Sequence, residues 1–172
     1  MKLINTIHMV AALALIMSSV ASLAADEAKK IDEPAGIDSE AAYEMLLKNP
    51  PDTFMIDVRT RAEYLFVGHP DIPSGVPNIP LKFYPSWETN KDFVKDVEER
   101  YKKADAIIVI CRSGKRAKIA GQLLLDTGFN NIFYMTDSFE GPKDTEGHRT
   151  VSGWKVNGLP YTHTLKDDLI YK

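Results

Sequence analysis

The stretch Ala106-Ile-Ile-Val-Ile-Cys-Arg-Ser-Gly-Lys-Arg-Ala117 runs five apolar residues into the chain's one cysteine and then into a short basic loop. Ala106 to Ile110 is a continuous, largely β-branched apolar run, the pattern of a strand covered on both faces of a parallel sheet. The segment Ala117 to Asp126 predicts a helix with Ile119, Leu123 and Leu124 on one face, stopped by Gly128. Cys111 is therefore expected at the carboxyl end of a strand, just before a helix N-terminus. The first N–H groups of a helix have no internal partner, and the macrodipole places about +0.5 charge there, so anions are favoured. Arg112, Lys115 and Arg116 add three formal positive charges within five residues of the sulfur, which favours thiolate over thiol. Ser113 and Gly114 fit a tight turn whose backbone donors point inward. The stretch predicts a reactive thiolate beside a small-anion site. The competing reading, Cys111 as a small buried hydrophobe, leaves the cluster of basic side chains without a purpose.

Several separated blocks then resemble the rhodanese family over nearly all of the chain beyond its N-terminal segment. Phe54-Met-Ile-Asp-Val-Arg-Thr60 resembles the family's first core strand, Ala62-Glu-Tyr64 the short helix after it, and Gly68-His69 with Asn78-Ile-Pro80 the next loop. Cys111-Arg-Ser-Gly-Lys-Arg116 is similar to the six-residue active loop of thiosulfate-type sulfurtransferases, and Gly128-Phe129, Ile132 to Met135 and Gly158-Leu-Pro160 resemble the closing strand and terminal motif. The resemblance implies a sulfurtransferase in which Cys111 carries a sulfane sulfur as a persulfide. Arg112, Ser113, Gly114, Lys115 and Arg116 would bind a thiosulfate-like anion, and a thiophilic acceptor, a protein thiol among the candidates, would take the sulfur. No metal or organic cofactor is needed for that chemistry. Asp57, Arg59 and Glu63 are expected to support the loop, with Arg59 and Glu63, four residues apart, paired across the turn into the short helix. A cysteine-dependent phosphatase fits less well: Ile110 precedes the cysteine where histidine is wanted, and Ala117 stands where the arginine should be. The rival from another class is an exported sulfur-carrier or redox-partner module with little small-molecule turnover, docking its partner at residues 70–75 and 136–153.

Residues 1–24 read as a secretory signal peptide, with Lys2 as the basic start, Met9 to Met17 as the apolar centre and Ser22-Leu-Ala24 before the cut. The apolar stretch is too short for an ordinary membrane span, so a protein that is periplasmic or otherwise exported after cleavage is expected, touching a membrane only during export. A single cysteine forms no intramolecular disulfide, which makes it a free thiol in an oxidising compartment. At 172 residues, 44% hydrophobic and 26% charged, the chain has room for one proper core. A formal charge of -3 argues against a nucleic-acid partner.

Residues 25–36 read as a flexible leader, 37–165 as the domain and 166–172 as a tail. Ser39 is expected to cap a helix ending at Lys48, with Tyr43, Leu46 and Leu47 facing the core. Thr53 to Val58 reads as a second buried strand. Gly68 to Pro85 carries five prolines and is expected to be a long surface loop, with His69 a hydrogen-bonded structural residue. Phe83, Tyr84 and Trp87 suit either a lid or an aromatic wall. Asn90 is expected to cap a helix reaching Tyr101 through Phe93, Val94 and Val97. The segment 136–154 departs from the family's brief glycine pair and reads as a long functional or mobile loop. Asp144, Glu146 and His148 within it alternate like metal ligands but read as solvated. Trp154 is expected to anchor the chain end. Strands alternating with helices imply an α/β fold: one mainly parallel central sheet covered on both faces, its site at the strands' carboxyl ends.

Overall fold

The computed structural model describes residues 32–49 and 51–172. Its central sheet contains β1 (Ala35–Ile37), β2 (Thr53–Asp57), β4 (Ala106–Ile110) and β5 (Ile132–Met135), all parallel, in the order β1-β5-β4-β2. The quoted apolar run is β4. It lies between β5 and β2, and all five of its residues are buried. Alternation along it divides the core: Ile107, Val109 and Cys111 pack on one face, Ile108 and Ile110 on the other. The first face is covered by α3 (Phe93–Glu98) and α4 (Lys115–Asp126), the second by α1 (Ser39–Lys48) with Ile72, Val76, Phe139 and Trp154. A short helix, α2 (Arg61–Val67), follows β2, and His69–Pro70 (β3) pairs antiparallel with Tyr161–Thr162 (β6). The expected parallel sheet with helices on both faces is thus present. The signal-peptide reading lies outside the described residues.

Several expectations are corrected. Ala35 and Gly36 belong to β1, in register with Phe133 and Tyr134, and Pro34 is buried, so the last part of the expected leader is an edge of the sheet. Asp38, not Ser39, caps α1, its carboxylate accepting from the Ala41 N–H at 2.8 Å. Leu47 points to solvent, and Ala42 with Leu46 forms the buried face. On α4 the buried residues are Ala117, Ala120, Gly121 and Leu124, while Ile119 and Leu123 are exposed. Small residues bring this helix close to the sheet edge: a Cβ on Gly121 would lie 3.1 Å from Pro34. Asn90 does not cap α3 directly; its Oδ1 accepts from the Asp92 N–H before the helix begins.

The proline-rich segment is the largest departure. Ile72, Val76, Ile79 and Leu81 are buried in it. Its backbone is tied to the end of β2: Pro77 C=O accepts from Asp57 N–H, and Ile79 N–H donates to Asp57 C=O. Proline excludes helix but not an extended chain whose remaining donors meet a sheet edge, and apolar residues between the prolines fill the core. The two ends of the segment 136–154 likewise pack on the core, Ser138 and Phe139 at one and the fully buried Trp154 at the other, its indole N–H donating to Pro160 C=O at 2.6 Å, while most of 142–151 is exposed.

Candidate active site

The alternation of β4 sends the Cys111 side chain towards α4, and the chain turns immediately into that helix. Cys111 is almost wholly buried. The Gly114 N–H donates to its Sγ at 3.2 Å. Gly114 has φ +93, and a Cβ there would stand 2.3 Å from the Thr136 carbonyl oxygen, so only glycine lets the loop close this way. No side chain caps α4, leaving the first N–H groups of the helix open beside the sulfur. The sulfur faces backbone donors at the positive end of a dipole, an arrangement that stabilises negative charge.

A second segment grips the Cys111 peptide. Phe139 N–H donates to Cys111 C=O at 3.0 Å, and Cys111 N–H donates to Ser138 Oγ at 3.1 Å. Ser138 Oγ donates in turn to Met135 C=O at 2.8 Å and lies 3.6 Å from Sγ. Ser138 is fully buried in the left-handed region at φ 55. Beside it, burial pushes the Asp137 carboxyl above its ordinary value even though Ser39 Oγ donates to it at 2.8 Å. Sequence reasoning missed Ser138, which comes beside Cys111 only through the packing of β5 against β4.

The charged residues sort differently from expectation. Arg59 turns away from Glu63 and, fully buried, pairs with Asp57 at 2.6 Å while donating to Gly68 C=O. Its guanidinium lies 4.1 Å from the centroid of the Phe139 ring. Asp57 pairs in register with Ile110, on the sheet face opposite Cys111, so this ion pair does not touch the sulfur; it underpins the segment that carries Phe139. Glu63 instead receives both arms of Arg116, each at 2.7 Å. Burial alone would raise the Glu63 carboxyl, but the hydrogen bonds and charge of Arg116, with those of Thr60, outweigh it and hold Glu63 at about 2. Burial would lower the Arg116 guanidinium, but its hydrogen bonds and charge pairing with Glu63 outweigh that and raise it. Arg112 pairs with Glu140 at 3.1 Å. Lys115 is exposed, with no ion-pair partner among the described residues, and Ser113 is half-buried. The structure therefore brings the Gly114 N–H onto the sulfur and engages both loop arginines with carboxylates. His69 is buried at a distance along the fold, stacked on Tyr64 at 4.2 Å with its two ring nitrogens facing the Pro70 and Thr164 carbonyls. Asp144 closes its own turn, accepting from the Glu146 and His148 N–H groups.

The model of the rhodanese-like domain matches residues 38–144, most of the described chain. The chain belongs to the rhodanese-like family. An uncharacterised protein of Rickettsia rickettsii is 37% identical over 125 residues, covering 72% of this chain and 93% of that one. The crystal structure of Rv0390 from M. tuberculosis superposes with a TM-score of 0.67 at 32% identity, covering 77% of this chain and 99% of the other. The polysulfide-sulfur transferase homodimer of Wolinella succinogenes shares the fold, with a TM-score of 0.53 at 22% identity over 75% of this chain and 78% of that one. Family membership places this rhodanese-like domain among sulfurtransferase-related proteins.

Proposed function

We propose that the domain is an exported sulfurtransferase that moves a sulfane sulfur from thiosulfate or a similar donor to a thiophilic acceptor through a persulfide on Cys111. The observation that carries this reading is the Cys111 sulfur beneath the Gly114 N–H at the uncapped N-terminus of α4. In the first half-reaction the thiolate attacks the outer sulfur of thiosulfate. A new S–S bond forms, the old one breaks, and its electron pair leaves with sulfite. In the second, the acceptor attacks the terminal sulfur and Cys111 departs as thiolate. Backbone N–H groups of the loop hold the charge on sulfur in both states. Lys115, free of a carboxylate among the described residues, offers the donor anion a mobile cation, while Arg116 and Arg112, anchored by Glu63 and Glu140, keep the loop in shape. Export rests on the reading of residues 1–24.

The test is thiocyanate formation from thiosulfate and cyanide, beside Cys111→Ser, with intact mass recorded before and after donor. The expected result is turnover with a one-sulfur adduct, both lost in the variant. A stable adduct with little turnover favours the carrier reading, and neither adduct nor turnover from reduced protein overturns both.

A further inference from the structure

An aromatic stripe leaves the active loop on one side. Trp87 stands 5.8 Å from the Arg116 guanidinium, and Tyr84 meets Trp87 edge-on at 6.4 Å. Tyr84 also lines, with Leu65, Phe66 and Phe83, a groove of about 520 Å³. Phe66 is 81% exposed, Tyr84 64% and Trp87 50%. Scattered apolar residues on a surface are ordinary, but contiguous aromatics mark interaction sites, because aromatic anchors dominate interface energetics. The outward aim of Trp87 is built in. Its backbone sits at φ 59, held by its N–H to Phe83 C=O at 2.7 Å and by Phe83 N–H to Glu88 C=O at 2.9 Å.

Charge and length select the occupant. The charged side chains lining the groove are Arg61 and Lys172, with no carboxylate side chain among them. Arg61 has no ion-pair partner among the described residues. Glu88, beside Trp87, is the carboxylate of the hairpin itself. A small sulfur anion reaches only the loop. An extended peptide, at about 3.3 Å per residue, can run from the active loop, where Arg116 stands 5.8 Å from Trp87, past Tyr84 and into the groove. Residues 70–75 and 136–153, the docking sites expected from the sequence, place Ile72 and Phe139 in the core but keep exposed stretches as well.

We propose that this stripe docks an extended, acidic and apolar segment of a partner protein whose cysteine exchanges the sulfane sulfur with Cys111. The proposal rests on the persulfide reading above. The partner thiolate attacks the terminal sulfur of the Cys111 persulfide, the S–S bond breaks, Cys111 leaves as thiolate and the partner becomes the persulfide; the reverse step loads Cys111.

The probe is the acetylated, amidated nonapeptide Asp-Leu-Gly-Gly-Cys-Gly-Gly-Leu-Asp, used as sulfur acceptor beside a control with Lys for Asp and Ser for Leu. The acidic peptide is expected to show a KM about tenfold lower, equivalent to about 1.4 kcal/mol. Phe66→Ser and Arg61→Glu, both at exposed positions, should each remove most of that preference while thiocyanate formation stays unchanged. Equal KM values for the two peptides, or variants that slow cyanide turnover as much as peptide turnover, overturn the proposal. Dimerisation of the protein that Phe66→Ser abolishes would assign the stripe to a second copy and also overturn it. If the donor leaves no one-sulfur adduct on reduced Cys111, the persulfide reading has failed, and the surface is judged on tryptophan emission, to which Trp87 and the buried Trp154 both contribute, during titration with the nonapeptide carrying Ser for Cys. A saturable change, absent in Phe66→Ser, supports the stripe; no change overturns it.

Discussion

Ser138 holds a conformation that glycine would adopt without strain. The left-handed region costs a non-glycine residue about 1 kcal/mol or more, yet the serine is fully buried there. Its hydroxyl explains why: it accepts from Cys111 N–H and donates to Met135 C=O, two groups inside the core. Ser138→Ala leaves both unpaired and keeps the strained backbone, so the expected loss in unfolding free energy is about 2–3 kcal/mol. Ser138→Gly loses the same hydrogen bonds but relieves the backbone, and should be less damaging by about 1 kcal/mol. Urea denaturation of the two variants checks the order; an alanine variant at least as stable as the glycine one would show that the backbone strain is immaterial. At this scale the sequence made the nucleophile legible but not its neighbours. Cys111 is announced by the run that precedes it, whereas Ser138 lies 27 residues away and is recognisable only once β5 is laid beside β4.

At the scale of elements, the Glu63–Arg116 pair joins α2 to the first turn of α4. Glu63 does double duty: with Thr60 it forms the reciprocal cap of α2, and with Arg116 it fixes the active loop's last residue. The carboxyl is held at about 2 against an ordinary 4.5. A depressed acid contributes stability that is present above pH 4.5 and lost as pH falls towards 2, where it protonates in the folded state. Glu63→Gln is expected to cost about 2 kcal/mol at neutral pH, and its stability should fall less steeply over that acid window. Parallel stability curves for the two proteins from pH 4.5 to 2 would refute the linkage. The sequence paired Glu63 with Arg59 across the turn into the short helix, but the Arg59 guanidinium finds the nearer carboxylate of Asp57. The face of α4 was misjudged for a related reason. Large apolar residues dominate a periodicity count: Leu124 is buried as that count expects, but the rest of the buried side of this helix is built from Ala117, Ala120 and Gly121.

For the whole molecule, the parallel sheet and the site at its carboxyl edge were legible because β2, β4 and β5 each announce themselves by composition, and a cysteine and an aspartate mark their ends. The closing of the chain was not. Nothing in the polar run after β6 signals that it returns to the proline-rich segment, yet Leu169 C=O accepts from Asn78 N–H at 2.8 Å and the Leu169 side chain packs over Gly75. Tyr171 continues the return, donating to Asp96 at 3.1 Å and meeting Phe83 at 5.8 Å. The expected tail is therefore a strap that lies on the proline-rich segment and supplies a wall of the aromatic groove. Leu169 and Tyr171 are only half-buried, so removing residues 165–172 is expected to lower stability by about 2 kcal/mol rather than to unfold the domain. None of the strap's hydrogen bonds reaches the active loop, so the rate of Cys111 alkylation by iodoacetamide should stay within about twofold of the full chain. Acceptance of the acidic nonapeptide should weaken, because the groove loses Tyr171 and Lys172. Loss of thiol reactivity in step with peptide acceptance would instead make the strap part of the active loop's support, and the groove would no longer be separable from the site of chemistry.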